Sequence, residues 1–141
     1  MIQALDSKAG TASEVGDYDE ICRVVQIFLE GEAKGDIAKL KEAFHEEARM
    51  FGSLAGTRYD VHLNDEAFAM FEAMPGDTGS LNQRILSVHQ TKDAAIAICA
   101  EDGYWGSASF IDYLQLARID GRWKIVSKLF AHTAGEPPAS G

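Results

Sequence analysis

Asp112 lies within the stretch "FIDYLQLARIDGRWKIVSKLF" (residues 110–130), and its type and position point most directly to chemistry. A carboxylate in an apolar layer costs several kcal/mol if it is ionised and unpaired. It escapes by taking up a proton, by pairing with a cation, or by bordering a solvent-filled cavity. A protonated acid in a pocket donates a hydrogen bond and so stabilises negative charge developing on a substrate oxygen. The competing reading is structural: Asp112 bonds backbone amides, or a bulge turns it outward.

The burial of Asp112 follows from a count along the chain. Asp120-Gly121 is the strongest hairpin signal in the sequence, because a two-residue type I′ turn needs positive φ at both central positions. That turn sets Ile119 opposite Arg122, Leu116 opposite Ile125 and Asp112 opposite Leu129. Side chains alternate, so Asp112, Leu114, Leu116, Trp123, Ile125 and Leu129 share the apolar face. Tyr113, Lys124, Val126, Lys128, Phe130 and His132 fall on the other.

The histidines are the remaining candidates for acid–base work. His89 alternates with Ile85 and Ser87, and if that face is the inner one, His89 joins Asp112 at a ligand. His62 shares parity with Asp60 and Arg58, which suits an exposed polar face or a cavity mouth. His45 is expected to end the second helix, where an imidazolium suits the negative end of the dipole. No two histidines stand four apart on a helix and no acid–histidine cluster is visible, so neither a metal site nor a cofactor is expected. Cys22 and Cys99 sit in apolar periodic segments and read as buried, reduced thiols.

The elements that must position these residues fit one domain. A chain of 141 residues with 46% apolar content builds a single core. A formal charge of −9, with no long basic cluster, argues against nucleic acid and against an anionic membrane surface. No apolar run approaches a membrane span and the N-terminus lacks a secretion signal, so the cytoplasm is the default. Residues 1–16 read as a flexible arm, 17–133 as the domain and 134–141 as a flexible tail. Tyr18, Ile21, Cys22, Val25, Phe28 and Leu29 form a helical stripe, capped by Asp17 or Ser13 and ended by Gly35. Asp36 caps a second helix carrying Ile37, Leu40 and Phe44, and Asn64 or Asp65 caps a third carrying Ala67, Phe68 and Phe71. Strands follow, with turns at Lys92-Asp93, around "GYWGS" and at Asp120-Gly121. Helices first and an antiparallel meander afterwards define an α+β fold, with three helices on one side of a curved sheet.

"GDIAKLKEAFHEEARM" and "IDYLQLARIDGRWKIVSKLF" resemble the nuclear-transport-factor-2-like (NTF2-like, cystatin-like α+β cone) superfamily, from about Asp17 to His132. Within it the sequence is most similar to the bacterial lumazine-binding and SnoaL-like group. One such scaffold hosts isomerases, dehydratases, cyclases and non-enzymatic binding modules. Resemblance to ketosteroid isomerase is more distant. Set onto its motifs, the oxyanion-hole acid of that enzyme falls on Asp112, its general base on Gly52 and its oxyanion-hole tyrosine on Phe28. Glycine accepts no proton and phenylalanine has no hydroxyl, so that mechanism is not expected unless a short gap brings Ser53 into the base position.

The sequence reading therefore expects a cavity between helices and sheet that takes a small, largely apolar organic ligand. Asp112, Phe28, Met50, Phe68, Phe71, Trp123 and Leu129 are its lining candidates. An acid–base enzyme of isomerase, dehydratase or cyclase type, or a dimeric scaffold with a filled interior, are the alternatives. The mixed outer face (Tyr113, Lys124, Val126, Lys128, Phe130) is expected to be covered in a homodimer, as the resemblance also implies.

Overall fold

The computed structural model describes residues 12–138. Helix α1 (Ala12–Lys34) and helix α2 (Ile37–Ala43) lead into strand β1 (Phe44–Leu54) and strand β2 (Thr57–His62). A π-helical turn (Leu63–Ala67) runs into the short helix α3 (Phe68–Ala73). Four strands complete the chain: β3 (Asn82–Thr91), β4 (Ala94–Tyr104), β5 (Ala108–Ile119) and β6 (Arg122–Ala134). The sheet order is β2-β1-β6-β5-β4-β3, antiparallel except where β1 runs parallel to β6. The helices cover one face, giving the expected α+β architecture.

Helix α1 starts at Ala12, so it takes in residues 12–16 of the expected arm; residues 1–11 and 139–141 lie outside the described part. Its buried stripe is Ile21, Val24, Val25, Phe28 and Leu29, spaced to face the sheet. Tyr18, expected on that stripe, is exposed. Asp17 is not a cap. It lies inside the helix and accepts from the Arg118 guanidinium (3.0 and 3.1 Å) and the Trp123 indole (3.4 Å), pinning α1 to the last hairpin. Asp36 does cap α2, accepting from Lys39 N at 3.3 Å. That helix ends at Ala43, so His45 stands in β1, where its Nδ1 accepts from Glu47 N. The third helical segment is capped by neither Asn64 nor Asp65 but by His62, whose Nδ1 accepts from Asp65 N at 3.2 Å.

Two strands carry an extra residue, and both change which residues face inward. The turn at Asp120-Gly121 forms as expected, with φ of 52° and 80°, and Leu116 pairs with Ile125. Beyond that pair Gln115 meets Ser127, leaving Val126 as a bulge. A one-residue slip reverses every later side chain. Asp112 therefore pairs with Phe130, not Leu129. Lys128 and Phe130 point inward and are buried, while Leu129 is half exposed on the outer face. His132 also turns inward and stacks near Phe110 (5.4 Å). In β3 the same happens at Leu86: Ile85 pairs with Cys99, but Ser87 pairs with Ile98. His89 consequently leaves the face of Ile85, pairs with Ile96 and is exposed outside.

Gly52 shows how closely β1 and β6 approach. A Cβ there would lie 2.5 Å from the Phe130 ring, so no side chain fits. Replacing Gly52 by alanine forces Phe130 off its rotamer or moves the strand. We expect Gly52→Ala to lower unfolding free energy by about 1–3 kcal/mol, read by denaturant titration; an unchanged midpoint would mean that Phe130 relocates freely.

Candidate functional site

A cavity of ≈ 310 Å³ lies between the concave sheet and the segment carrying α3. Its walls are apolar: Met50, Leu54, Met70, Phe71, Met74, Trp105, Phe110 and Phe130. Thr57 and Tyr59 line it from β2, and Pro137 and Pro138 reach it from beyond the end of β6. The ionisable groups of the interior gather in one place, where Glu32, Glu101, Tyr104 and Lys128 meet the space.

Each of those groups reaches the interior for a local reason. Glu32 continues the buried stripe of α1, three residues after Leu29 and four after Phe28. Glu101 continues the inward alternation Ala95, Ala97, Cys99 along β4. Lys128 is turned inward by the bulge at Val126. Asp112 stands opposite Cys99 on the neighbouring strand and is fully buried behind Lys128. One oxygen from each of Glu32, Glu101 and Asp112 lies within 4.8 Å of the other two.

The outer contacts of the cluster are well defined. Lys128 Nζ donates to Asp112 Oδ1 at 3.0 Å. Gln83 Nε2 donates to Glu101 Oε2 at 2.9 Å and to the Leu29 carbonyl at 3.0 Å, tying the cluster to α1. The Tyr104 hydroxyl donates to Glu32 Oε1 at 3.3 Å. The Lys128 ammonium also lies 4.9 Å from the centre of the Phe130 ring and 5.7 Å from that of Phe28. Glu32 Oε2 and Asp112 Oδ2 have no N–H or O–H partner among these groups.

Protons shared between carboxyls account for those two oxygens. Burial pushes all three acids up: Glu32 to about 7, and Glu101 and Asp112 well above the usual carboxylate range. A hydrogen bond with Glu101 pulls Glu32 back, and one with Asp112 pulls Glu101 back. The Glu101 carboxyl thus shares protons with both Asp112 and Glu32. Burial pulls the Lys128 ammonium down, but the three acids outweigh it and the net direction is up. Lys128 stays charged, and two protons among three carboxyls leave one negative charge to balance it. The titration belongs to the cluster as a unit, with Glu32, at the cavity, the member that ionises first.

Of the sequence candidates, Met50 and Phe71 line the cavity. Phe28, Phe68 and Trp123 are buried in the surrounding core, and Leu129 lies on the opposite face of the sheet. Asp112 is buried as expected, but it is one step removed from the cavity. His89 is exposed on the outer face, and His62 spends its Nδ1 on a cap. Ser53 is exposed too, so no shift in alignment makes it a base. Glu32, Glu101, Lys128, Tyr104 and Gln83 escaped the sequence reading. Helical spacing and strand alternation carried the signal for the two glutamates; only the bulge reveals Lys128.

The fold and its polar-ended cavity define an NTF2-like α+β cone protein. Residues 16–131 match the family described as "Putative lumazine-binding", and the chain belongs to that family. It is similar to the protein named aldolase FrzH from Cladobotryum sp., at 24% identity over 114 residues, 81% of this chain and 90% of that protein. It is also similar in structure to an NTF2-like protein of unknown function from Shewanella baltica OS155, with TM-score 0.76 and 23% identity over 86% of this chain and 97% of the other. A ketosteroid isomerase-like protein from Erwinia carotovora atroseptica matches at TM-score 0.66 and 14% identity, covering 82% of this chain and 95% of that one.

The raised acids make a stability signature. Glu32 binds a proton more tightly folded than unfolded, so its contribution is complete below its ordinary value of 4.5 and is lost as pH rises to about 7. We expect wild type to lose about 3 kcal/mol relative to Glu32→Gln across that window, on ~1.4 kcal/mol per unit. Chemical denaturation of both proteins at each pH checks this, and parallel curves would count against the buried acid.

Proposed function

We propose that this protein catalyses proton transfer at a carbon next to the carbonyl of a small, largely apolar compound. One arrangement carries the reading: the Glu32 carboxyl, pushed up to about 7 by burial, and the Lys128 ammonium share the polar end of a mainly apolar cavity. Glu32 is the general base, poised where both proton affinity and availability are useful. Lys128 holds the carbonyl oxygen as it becomes an enolate, at the buried end of the cavity where that attraction is strong. Tyr104 orients Glu32. Asp112 acts through Lys128, which makes it a positioning residue. This places the acid–base alternative of the sequence reading ahead of simple ligand binding, because Asp112 is accompanied by three further ionisable groups and is not alone. The resemblance to a protein named as an aldolase is in keeping with carbonyl chemistry.

Deuterium exchange from solvent into the α-position of 4-phenylbutan-2-one, followed by NMR, tests the reading. Exchange should rise with pH through an apparent pKa of about 7 as Glu32 ionises. Glu32→Gln should slow it by about 10²–10⁴-fold. A rate that ignores either change would sink the proposal.

A second copy of the chain is the partner we propose for the outer sheet face. Phe51, Leu129, Tyr113 and Ile98 form one cross-strand row there, and Phe51, Leu129 and Tyr113 are about half exposed. The bulge at Val126 removes Lys128 and Phe130 from this face and puts Leu129 on it. Lys124 lies aside, donating to the Glu42 carbonyl. Among the described residues no helix is long and apolar enough to cross a membrane. Light scattering should report a dimer for wild type and a monomer for Leu129→Glu; a monomeric wild type would refute this.

A further inference from the structure

The cavity presents two carboxyl groups, and they are neighbours. Glu32 and Glu101 both meet the space, each with a carboxyl oxygen within 4.8 Å of the other. Their surroundings set them apart. Tyr104 donates to Glu32 and so favours its ionised form. Glu101 faces two other carboxyls, and its one neutral donor, Gln83, is shared with the Leu29 carbonyl. A base and an acid side by side on one floor reach the same face of whatever fills the cavity. Lys128 completes the group with a cation for a carbonyl oxygen. Apart from Thr57 and Tyr59 on β2 the other walls are apolar, so the ligand carries most of its oxygens at the charged end. The space equals about ten water molecules at ~30 Å³ each, room for one ring or a short chain.

We propose that the substrate is a β-hydroxy carbonyl compound with an apolar tail, and that Glu32 and Glu101 remove water from it with syn geometry. The inference rests on the acid–base reading above and names its substrate class. Glu32 takes the α-proton, and the C–H electron pair becomes the enolate, whose oxygen Lys128 holds. The enolate pair then re-forms the carbonyl and makes the new C=C bond as the β C–O bond breaks. Glu101 gives its proton to the departing hydroxyl, which leaves as water. Glu32 ends protonated and Glu101 ionised. The two carboxyls, with oxygens within 4.8 Å of each other, pass the proton back and reset the pair, so no oxidant, reductant or co-reactant is consumed.

The probe is 4-hydroxy-4-phenylbutan-2-one, prepared with a single α-deuterium of known configuration. Wild type should release benzylideneacetone, losing deuterium only from the isomer that carries it on the hydroxyl face. Glu101→Gln should slow water loss by about 10²–10⁴-fold, the usual contribution of a general acid. It should slow exchange into 4-phenylbutan-2-one, which has no hydroxyl to protonate, far less. That difference also reports that the variant has folded. Exchange of the simple ketone without water loss from the hydroxy ketone overturns this inference and leaves the acid–base reading standing. Release of benzaldehyde and acetone overturns it in favour of carbon–carbon cleavage. Loss of deuterium from the opposite face overturns the syn geometry and with it the paired role of Glu101. Neither exchange nor water loss overturns both readings.

Discussion

The interaction on which the rest depends is the buried ammonium of Lys128 against the carboxyl chain that begins at Asp112. Three ionised carboxylates in this interior would be untenable, because each loses its hydration and repels the others. One lysine and two shared protons bring the group to neutrality. Removing either member would strand a charge among Phe28, Phe130 and Leu114. The arrangement therefore constrains the fold as well as the chemistry: α1 supplies Glu32, β4 supplies Glu101, and the central strands β5 and β6 supply Asp112 and Lys128.

The same constraint explains why the cavity has one polar end. A cluster of this kind survives only where every outer oxygen has a donor, and Tyr104, Gln83 and Lys128 supply those. Elsewhere the walls are mainly hydrocarbon, and Gly52 lets Phe130 pack closely along the side. A ligand must then be apolar over most of its surface and present its oxygens to the floor. Charge and shape select the same kind of molecule.

Much of the fold was legible from local rules. The apolar stripe of α1, the cap at Asp36 and the turn residues at positions 92–93 and 120–121 each have a nearby physical cause. So does the burial of Asp112, since counting from the turn reaches it along β5, which carries no bulge between Leu116 and Phe110. The partner of Asp112 was not legible. The count on β6 crosses Val126, and one extra residue exchanges Lys128 with Leu129. The same effect on β3, at Leu86, parts His89 from the face of Ile85, with which it alternates in the sequence, and leaves it outside in the fold.

What the sequence alone determined is the class of architecture, the apolar character of the interior and the presence of an acid within it. Propensity, alternation and turn chemistry are properties of short segments, and these features need nothing longer. Only the tertiary structure decided which groups meet that acid. Glu32, Glu101 and Lys128 come from different elements of the chain, and their meeting depends on helix packing and on the bulge at Val126. A bulge is a compromise between sheet twist and the packing of both faces, so its position is set by the assembled sheet and not by the residues that form it.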